Sequence, residues 1–231
     1  MANQTRAKLI FKLIAAVTAR TSGLGALLFF SAGTVAWWRG WVLLAVMFTA
    51  TVTAMLGLNQ DLLAERLKGL SQKKWSHGDK ILAVVLMPAM AGQFVFIGLD
   101  VFRLRMLAKP NLIVSSLGLA LYIAGFWIIH VAMRENAFAA TVVKYQEERG
   151  QVVVDTGPYR VVRHPMYSGA VLLFVGMPLW LESSAGALLA IVLIGLLVVR
   201  IVIEEGLLRR ELSGYAAYTE RVRYRLFPFL W

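Results

Sequence analysis

From residue 185 to residue 203 the chain reads Ala-Gly-Ala-Leu-Leu-Ala-Ile-Val-Leu-Ile-Gly-Leu-Leu-Val-Val-Arg-Ile-Val-Ile, with Arg200 its one ionisable side chain. No other feature of the sequence limits the fold as much. A helix of about 20 apolar residues, rising about 1.5 Å per residue, crosses the hydrocarbon of a bilayer and bonds all its own backbone groups there. Comparable runs occupy residues 9–36, 41–58, 81–101 and 112–133, and a shorter one occupies residues 166–180. The expected fold is therefore all-α: a polytopic membrane bundle of about six membrane helices forming a single domain, 1–231. Residues 1–133 supply four of these helices, and residues 134–231 hold most of the polar chemistry. Residues 166–180 are short for a crossing. With residues 185–203 they read as a helical hairpin closed by Leu181-Glu182-Ser183-Ser184.

The connections carry further expectations. Arg6, Lys8 and Lys12 lead into an apolar region that outruns the core of a cleavable signal, so residues 9–36 read as the first membrane helix. Its surplus length calls for a start in the headgroups, a tilt or a break near Gly23. Arg20 reads as an arginine that snorkels to the interface or faces a neighbouring helix. Trp37-Trp38-Arg39-Gly40-Trp41 reads as an aromatic belt around a turn. Residues 62–78 place Leu62, Leu63, Leu67 and Leu70 at helical spacing among Arg66, Lys68, Lys73 and Lys74, the pattern of a helix lying on the membrane surface. Pro88 predicts a kink in the third run. His130 is expected to be hydrogen-bonded between packed helices. Residues 137–150 form a second amphipathic segment ending at Gly150. The tail after Arg200 predicts a helix leaving the membrane, a break at Ser213-Gly214, and a short helix lying back over the mouth of the bundle.

Charge then orients the bundle. Most of the 24 lysines and arginines fall before residue 13, in 61–80, in 134–166 and after 206, whereas Arg39, Arg103, Arg105 and Lys109 fall in the alternate connections. The positive-inside bias places both termini, the amphipathic helices and the residues around 156–169 on the cytoplasmic side. The net charge of +11 fits contact with anionic membrane lipids better than nucleic acid, because no basic stripe with interleaved aromatics lies outside the apolar runs. With no cysteine, thiol chemistry and thiolate metal sites are excluded. His77, His130 and His164 lack metal-ligand spacing, so no metal is expected.

Polar groups concentrate beside the membrane in two places, Tyr159 to Tyr167 before the hairpin and Arg200 to Glu205 after it. A hairpin brings its ends together, which closes a pocket from residues some forty positions apart. Arg200 and Glu204 are four apart and can pair, while Glu205 points about 100° away. Adjacent carboxylates at the end of an apolar helix need a cation, and Arg163, His164 or a cationic ligand could supply it.

Taken with their spacing, Gly157-Pro158-Tyr159-Arg160, Arg163-His164-Pro165-Met166-Tyr167-Ser168-Gly169, Arg200 with Glu204-Glu205, Gly214-Tyr215, Tyr218 and Arg225-Leu226-Phe227-Pro228 closely resemble the isoprenylcysteine carboxyl methyltransferase family, whose wider relatives include phospholipid methyltransferases. The resemblance covers roughly residues 136–231. It implies S-adenosyl-L-methionine as methyl donor, S-adenosyl-L-homocysteine as product, and a lipid-like or lipidated acceptor entering from the bilayer. Carried over by motif, His164 and Tyr167 line the cofactor pocket, Pro165 sets the turn, and Tyr159 packs beside it. Arg163 belongs to the same segment. Glu204 and Glu205 hold the donor's cationic part. Gln151 stands where several relatives carry a histidine, which puts its contribution to cofactor binding in question.

Methyl transfer from a sulfonium is an in-line displacement that mainly needs alignment and exclusion of water. An amine acceptor would also need a base, for which Glu204 is the first candidate. A carboxylate acceptor would want an arginine clamp, from Arg200, Arg134 or Arg221, with Tyr218 also expected at the acceptor. Two other readings compete. A nicotinamide-dependent sterol-type reductase would show an Arg-Lys-x-x-Asn-Tyr-like segment where this chain has Arg163 to Tyr167. A non-enzymatic scaffold or transport subunit would tolerate alanine at the Glu-Glu and His-Pro positions.

Overall fold

The computed structural model describes residues 2–58, 60–67, 77–136 and 151–231. Among these the chain forms helices α1 (Ala2–Ala32), α2 (Trp38–Leu56), α3 (Gln60–Leu67), α4 (His77–Leu99), α5 (Leu112–Glu135), α6 (Pro165–Trp180), α7 (Ser184–Glu211) and α8 (Tyr215–Arg221), and no strand. Five of them, α1, α2, α4, α5 and α7, are long and apolar enough to cross a membrane, and with the shorter apolar α6 they make up the about six membrane helices expected. The sixth, α6, has only 16 residues and is the short arm of the hairpin. Local signals set the ends as physics requires. Asn111 accepts the Val114 N–H at the start of α5, Ser183 accepts the Gly186 N–H at the start of α7, and Pro165 opens α6 where no N–H is needed.

Glycines bring α5 and α6 together. An added Cβ at Gly118 would lie 2.9 Å from the Gly176 carbonyl oxygen, and one at Gly125 would lie 2.6 Å from that of Gly169. The pairing is antiparallel and repeats after seven residues on each helix, so the backbones approach as closely as small residues allow in membranes. From the other side α4 clamps the hairpin. Pro178 has no N–H for the Phe174 carbonyl one turn earlier, and the buried Gln93 amide supplies that bond at 3.0 Å while also reaching the Gly186 carbonyl at 3.3 Å.

Several expectations change. α1 runs unbroken through Gly23. The segment from Trp37 to Trp41 is only in part a belt. Trp38 and Trp41 are exposed, but Trp37 is buried edge-on against Phe102, and Arg39 is buried too. Arg39 bonds the Trp180 carbonyl, the Trp180 indole bonds the Arg39 carbonyl, and the guanidinium pairs with Glu182 at 3.2 Å. Beside this knot α4 ends in a π-helical turn, Asp100–Leu104, whose buried Asp100 accepts the Ser183 hydroxyl and the Met106 N–H. Within α3, Leu62 and Leu63 are buried with Leu13, Val17 and Met133 rather than spread on a membrane surface. His130 packs its ring near Gly57, and its Nδ1 is buried without a hydrogen-bond partner among the described residues, contrary to the bonded histidine expected. The second amphipathic segment, 137–150, and residues 68–76 lie outside the described residues.

Candidate functional site

At the end of the hairpin away from its turn, α6 begins and α7 passes. α7 runs to Glu211, so Glu204 and Glu205 lie within a continuous helix rather than at its end. The chain then breaks at Gly214, where φ of 82° suits a residue without a Cβ, and α8 turns back. The residues after α8 lie along the start of α6. The N–H groups of Arg163 and His164 donate to the carbonyls of Tyr224 and Arg225, and the Ser168 hydroxyl donates to that of Leu226.

Glu205 is the centre of this end. Its side chain is only 5% exposed, and three side chains converge on its carboxylate. Arg163 donates from Nε at 2.6 Å and Nη2 at 3.3 Å, His164 from Nε2 at 3.1 Å, and Arg225 from Nε at 3.0 Å. The remaining Arg163 nitrogen, Nη1, bonds the carbonyls of Val222 and Arg223. A buried carboxylate is tolerable only with such partners. The helix α7, the start of α6 and the tail after α8 are thus joined through one side chain.

Glu204, one residue earlier and half-buried, has a different environment. The Tyr167 hydroxyl donates to its Oε2 at 2.6 Å and accepts from Arg200 Nε at 2.8 Å, so tyrosine stands between the arginine and the glutamate four residues apart on α7. Among the described residues nothing bonds Glu204 Oε1. The His164 and Tyr167 rings stack 20° from parallel with centroids 5.6 Å apart, and the Arg200 guanidinium lies 5.8 Å from the Tyr167 ring centre.

The other residues singled out from the sequence divide into two groups. Tyr159 is buried in the 3-10 turn Gly157–Arg160, and its carbonyl accepts the Tyr218 hydroxyl at 2.8 Å. Tyr218 is therefore a wall of the fold, packed with Tyr215, Leu212 and Val222, rather than a group presented to a ligand. Burial pushes the Tyr215 and Tyr218 hydroxyls well above the usual phenol range, and for Tyr215 the neighbouring Glu205 and Glu204 add to it, so both stay neutral. Gln151 begins the extended segment that leads, through Val153, past this wall. Arg221 is exposed and pairs with Asp155 at 2.9 Å. Arg134 is exposed in the last turn of α5, where neighbouring Glu135 accepts the Thr156 hydroxyl and crowds Gly157. The structure gathers Arg163, His164, Pro165, Tyr167, Arg200, Glu204 and Glu205 at one place, and leaves Arg134 and Arg221 at its exposed margin.

Arg225 was missed as a site residue. It belongs to the Arg225-to-Pro228 segment that carries the resemblance, but nothing in the sequence of the tail gives it a partner that Arg221 and Arg223 lack. Only its contact with Glu205, and the Trp231 ring 4.9 Å from its guanidinium, sets it apart.

Residues 113–213 match the family model for phospholipid methyltransferases. The match spans α5, α6, α7 and every side chain of the cluster except Arg225, and it bears out the resemblance carried by the His-Pro and Glu-Glu segments. One solved structure similar to this chain is that of the eukaryotic intramembrane Ras methyltransferase, an isoprenylcysteine carboxyl methyltransferase. Identity to it is 18%, with 83% of this chain and 75% of that one covered and a TM-score of 0.49. No curated protein sequence matches significantly.

Proposed function

We propose that the chain is an S-adenosylmethionine-dependent membrane methyltransferase whose acceptor is a lipid or a lipidated molecule, with its site on the cytoplasmic face. The family match supports the methyltransferase class. The observation that carries the donor assignment is the contrast between two adjacent carboxylates. Glu205 is taken up by Arg163, His164 and Arg225, whereas Glu204 keeps an oxygen that no described residue bonds. A half-buried carboxylate with open acceptor capacity is suited to a cation, and the donor carries an ammonium group and a sulfonium.

When bound, S-adenosylmethionine supplies an activated methyl group whose bonding electron pair stays with sulfur. The protein's part is alignment and exclusion of water. Tyr167 fixes Glu204 through its hydroxyl and is itself held by Arg200, so the carboxylate that meets the cation cannot swing away. The stacked His164 and Tyr167 rings give a flat wall beside it. Glu205 fixes His164, and through Arg163 and Arg225 it fixes the tail that covers this end. With an amine acceptor, Glu204 is the group placed to take the proton the nitrogen must lose. With a carboxylate acceptor no proton moves, and Arg200 is the nearest cation to hold it.

Titration calorimetry of detergent-purified protein with S-adenosylhomocysteine tests the reading. Binding is expected, and it should be lost when Glu205→Ala and His164→Ala are combined. Absence of binding to the wild-type protein, or undiminished binding in a folded double variant, would overturn it. Mass spectrometry of membrane lipids incubated with isotopically labelled donor would then identify the acceptor.

A further inference from the structure

At the end of the bundle where the α6–α7 hairpin turns, cations outnumber carboxylates. Arg39, Arg103, Arg105 and Lys109 stand there with Asp100 and Glu182 as the acidic side chains among the described residues. Arg39 and Lys109 both pair with Glu182, and Asp100 accepts from the Ser183 hydroxyl and the Met106 N–H. Arg103 and Arg105, within and just after the π-helical turn that ends α4, have no counterion among the described residues. Neither α1 nor α2 contains an aspartate or glutamate to supply one.

Arg103 brings this surplus charge to the mouth of a groove. A Cβ added at Gly33 would lie 3.1 Å from its Nη2, so the guanidinium rests against the end of α1. Gly33 holds a φ of 73° there, and a side chain in its place would contest both the backbone conformation and the space the arginine fills. Thr34 follows and lines the same groove. Its Oγ1 accepts the Ala36 N–H at 3.0 Å, while its hydroxyl hydrogen meets no acceptor among the described residues. A guanidinium and a hydroxyl donor thus share one mouth.

The groove has a volume of about 1180 Å³ and is lined by α1, α2 and α4. Its floor on α1 is the stripe Ser22, Ala26 and Gly33, small exposed residues at helical spacing. Phe29 falls on the same stripe, but its ring is buried against Gly40 and Trp41 of α2, which leaves the floor clear. Leu44 of α2 and Val95 and Leu99 of α4 add apolar walls. Gly33 lies eleven residues beyond Ser22, about 16 Å along the axis, roughly half of a hydrocarbon core about 30 Å thick. The groove is therefore one leaflet deep, with donors at headgroup level and apolar surface beneath them. A soluble anion would satisfy Arg103 and leave that surface uncovered, whereas a neutral acylglycerol would cover it and leave the charge unmet. An amphiphile that joins an anion to an aliphatic chain does both.

We infer that this groove holds an anionic phospholipid, its phosphate bonded by the Arg103 guanidinium and the Thr34 hydroxyl and one acyl chain lying over Ala26 and Ser22. The lipid belongs to the leaflet opposite the Glu205 cluster, since that cluster lies at the end of the hairpin away from its turn. The site does not depend on the methyltransferase reading.

Native mass spectrometry of the detergent-purified full chain would be run with dioleoylphosphatidylglycerol, zwitterionic dioleoylphosphatidylcholine and neutral dioleoylglycerol in parallel. The wild type is expected to retain phosphatidylglycerol over the other two. Arg103→Gln, at an exposed side chain, should lower that affinity by about tenfold and leave dioleoylglycerol unaffected. Ala26→Phe changes no charge but fills the floor of the groove, and it should lower the affinity by a similar factor. Failure of the wild type to hold phosphatidylglycerol, equal retention of phosphatidylcholine, or unchanged affinity in folded Arg103→Gln would overturn the proposal. A loss in Arg103→Gln with none in folded Ala26→Phe would also overturn it, because the arginine would then be meeting headgroups without a lipid seated in the groove.

Discussion

The α6–α7 hairpin carries a buried arginine-carboxylate cluster at each end, and the two ends use similar residues differently. At the turn, Arg39 meets Glu182 and the Trp180 carbonyl while its ring contacts span Trp38 and Trp180, and Asp100 accepts from both Ser183 and Met106. Each charged group there ends on a backbone group, a hydroxyl or a neighbouring charge. At the open end Glu205 is equally well satisfied, but beside it Arg200, Tyr167 and Glu204 form a chain that stops at a carboxylate oxygen with no described partner. A closed cluster stabilises a fold, whereas an open one has capacity left for a ligand. The difference teaches that burial of charge does not by itself mark a site, and that unused bonding capacity next to a rigid cluster does.

Four substitutions can break or sharpen this contrast. The largest effect is expected for Glu205→Ala, which leaves Arg163 buried without its counterion. Thermal unfolding in detergent should show about 3–5 kcal/mol lost, with donor-analogue binding lost as well. A stable variant that still binds would remove Glu205 from the centre of the picture. Arg39→Met should cost about 2–3 kcal/mol in the same assay, yet leave S-adenosylhomocysteine affinity per folded molecule unchanged. Weakened binding there would mean that the two ends are coupled. Glu204→Gln inverts that pattern: affinity falls about tenfold, equivalent to about 1.4 kcal/mol, while stability shifts by less than about 1 kcal/mol. Were its affinity to stay the same, the open oxygen would have no role in binding. The smallest change is expected from Tyr167→Phe, which frees Glu204 to move. Calorimetry should show affinity lower by about threefold, and an unchanged value would detach Tyr167 from the donor site.

The hairpin and the meeting of its ends could be read from the sequence, because an apolar run interrupted by Leu181 to Ser184 has few ways to fold in a bilayer. That Glu204 and Glu205 point about 100° apart also follows from helical spacing, and Arg163 and His164 were named in advance, beside a cationic ligand, as partners the carboxylates could take. The sequence could not show which carboxylate they would take, since that depends on how the tail after α8 lies across α6. Arg225 was hidden for the same reason. At the opposite end, a tryptophan-rich turn has the same composition whether its arginine faces headgroups or a neighbouring indole, and Arg39 faces the indole. The proline singled out for its backbone effect was Pro88, but the one whose missing N–H is answered by another side chain is Pro178.

That last pairing ties together positions far apart in the chain. The Gln93 amide stands in for an N–H that proline lacks, so the two residues form one unit of sequence although they lie on α4 and α6. Any other amino acid at position 178 restores the backbone donor and relieves Gln93 of half its task, whereas loss of Gln93 alone leaves the Phe174 carbonyl bare in the core. Substitutions at 93 and 178 should therefore appear together in the protein's descendants, and a screen that varies either position alone would judge Gln93 indispensable and Pro178 optional.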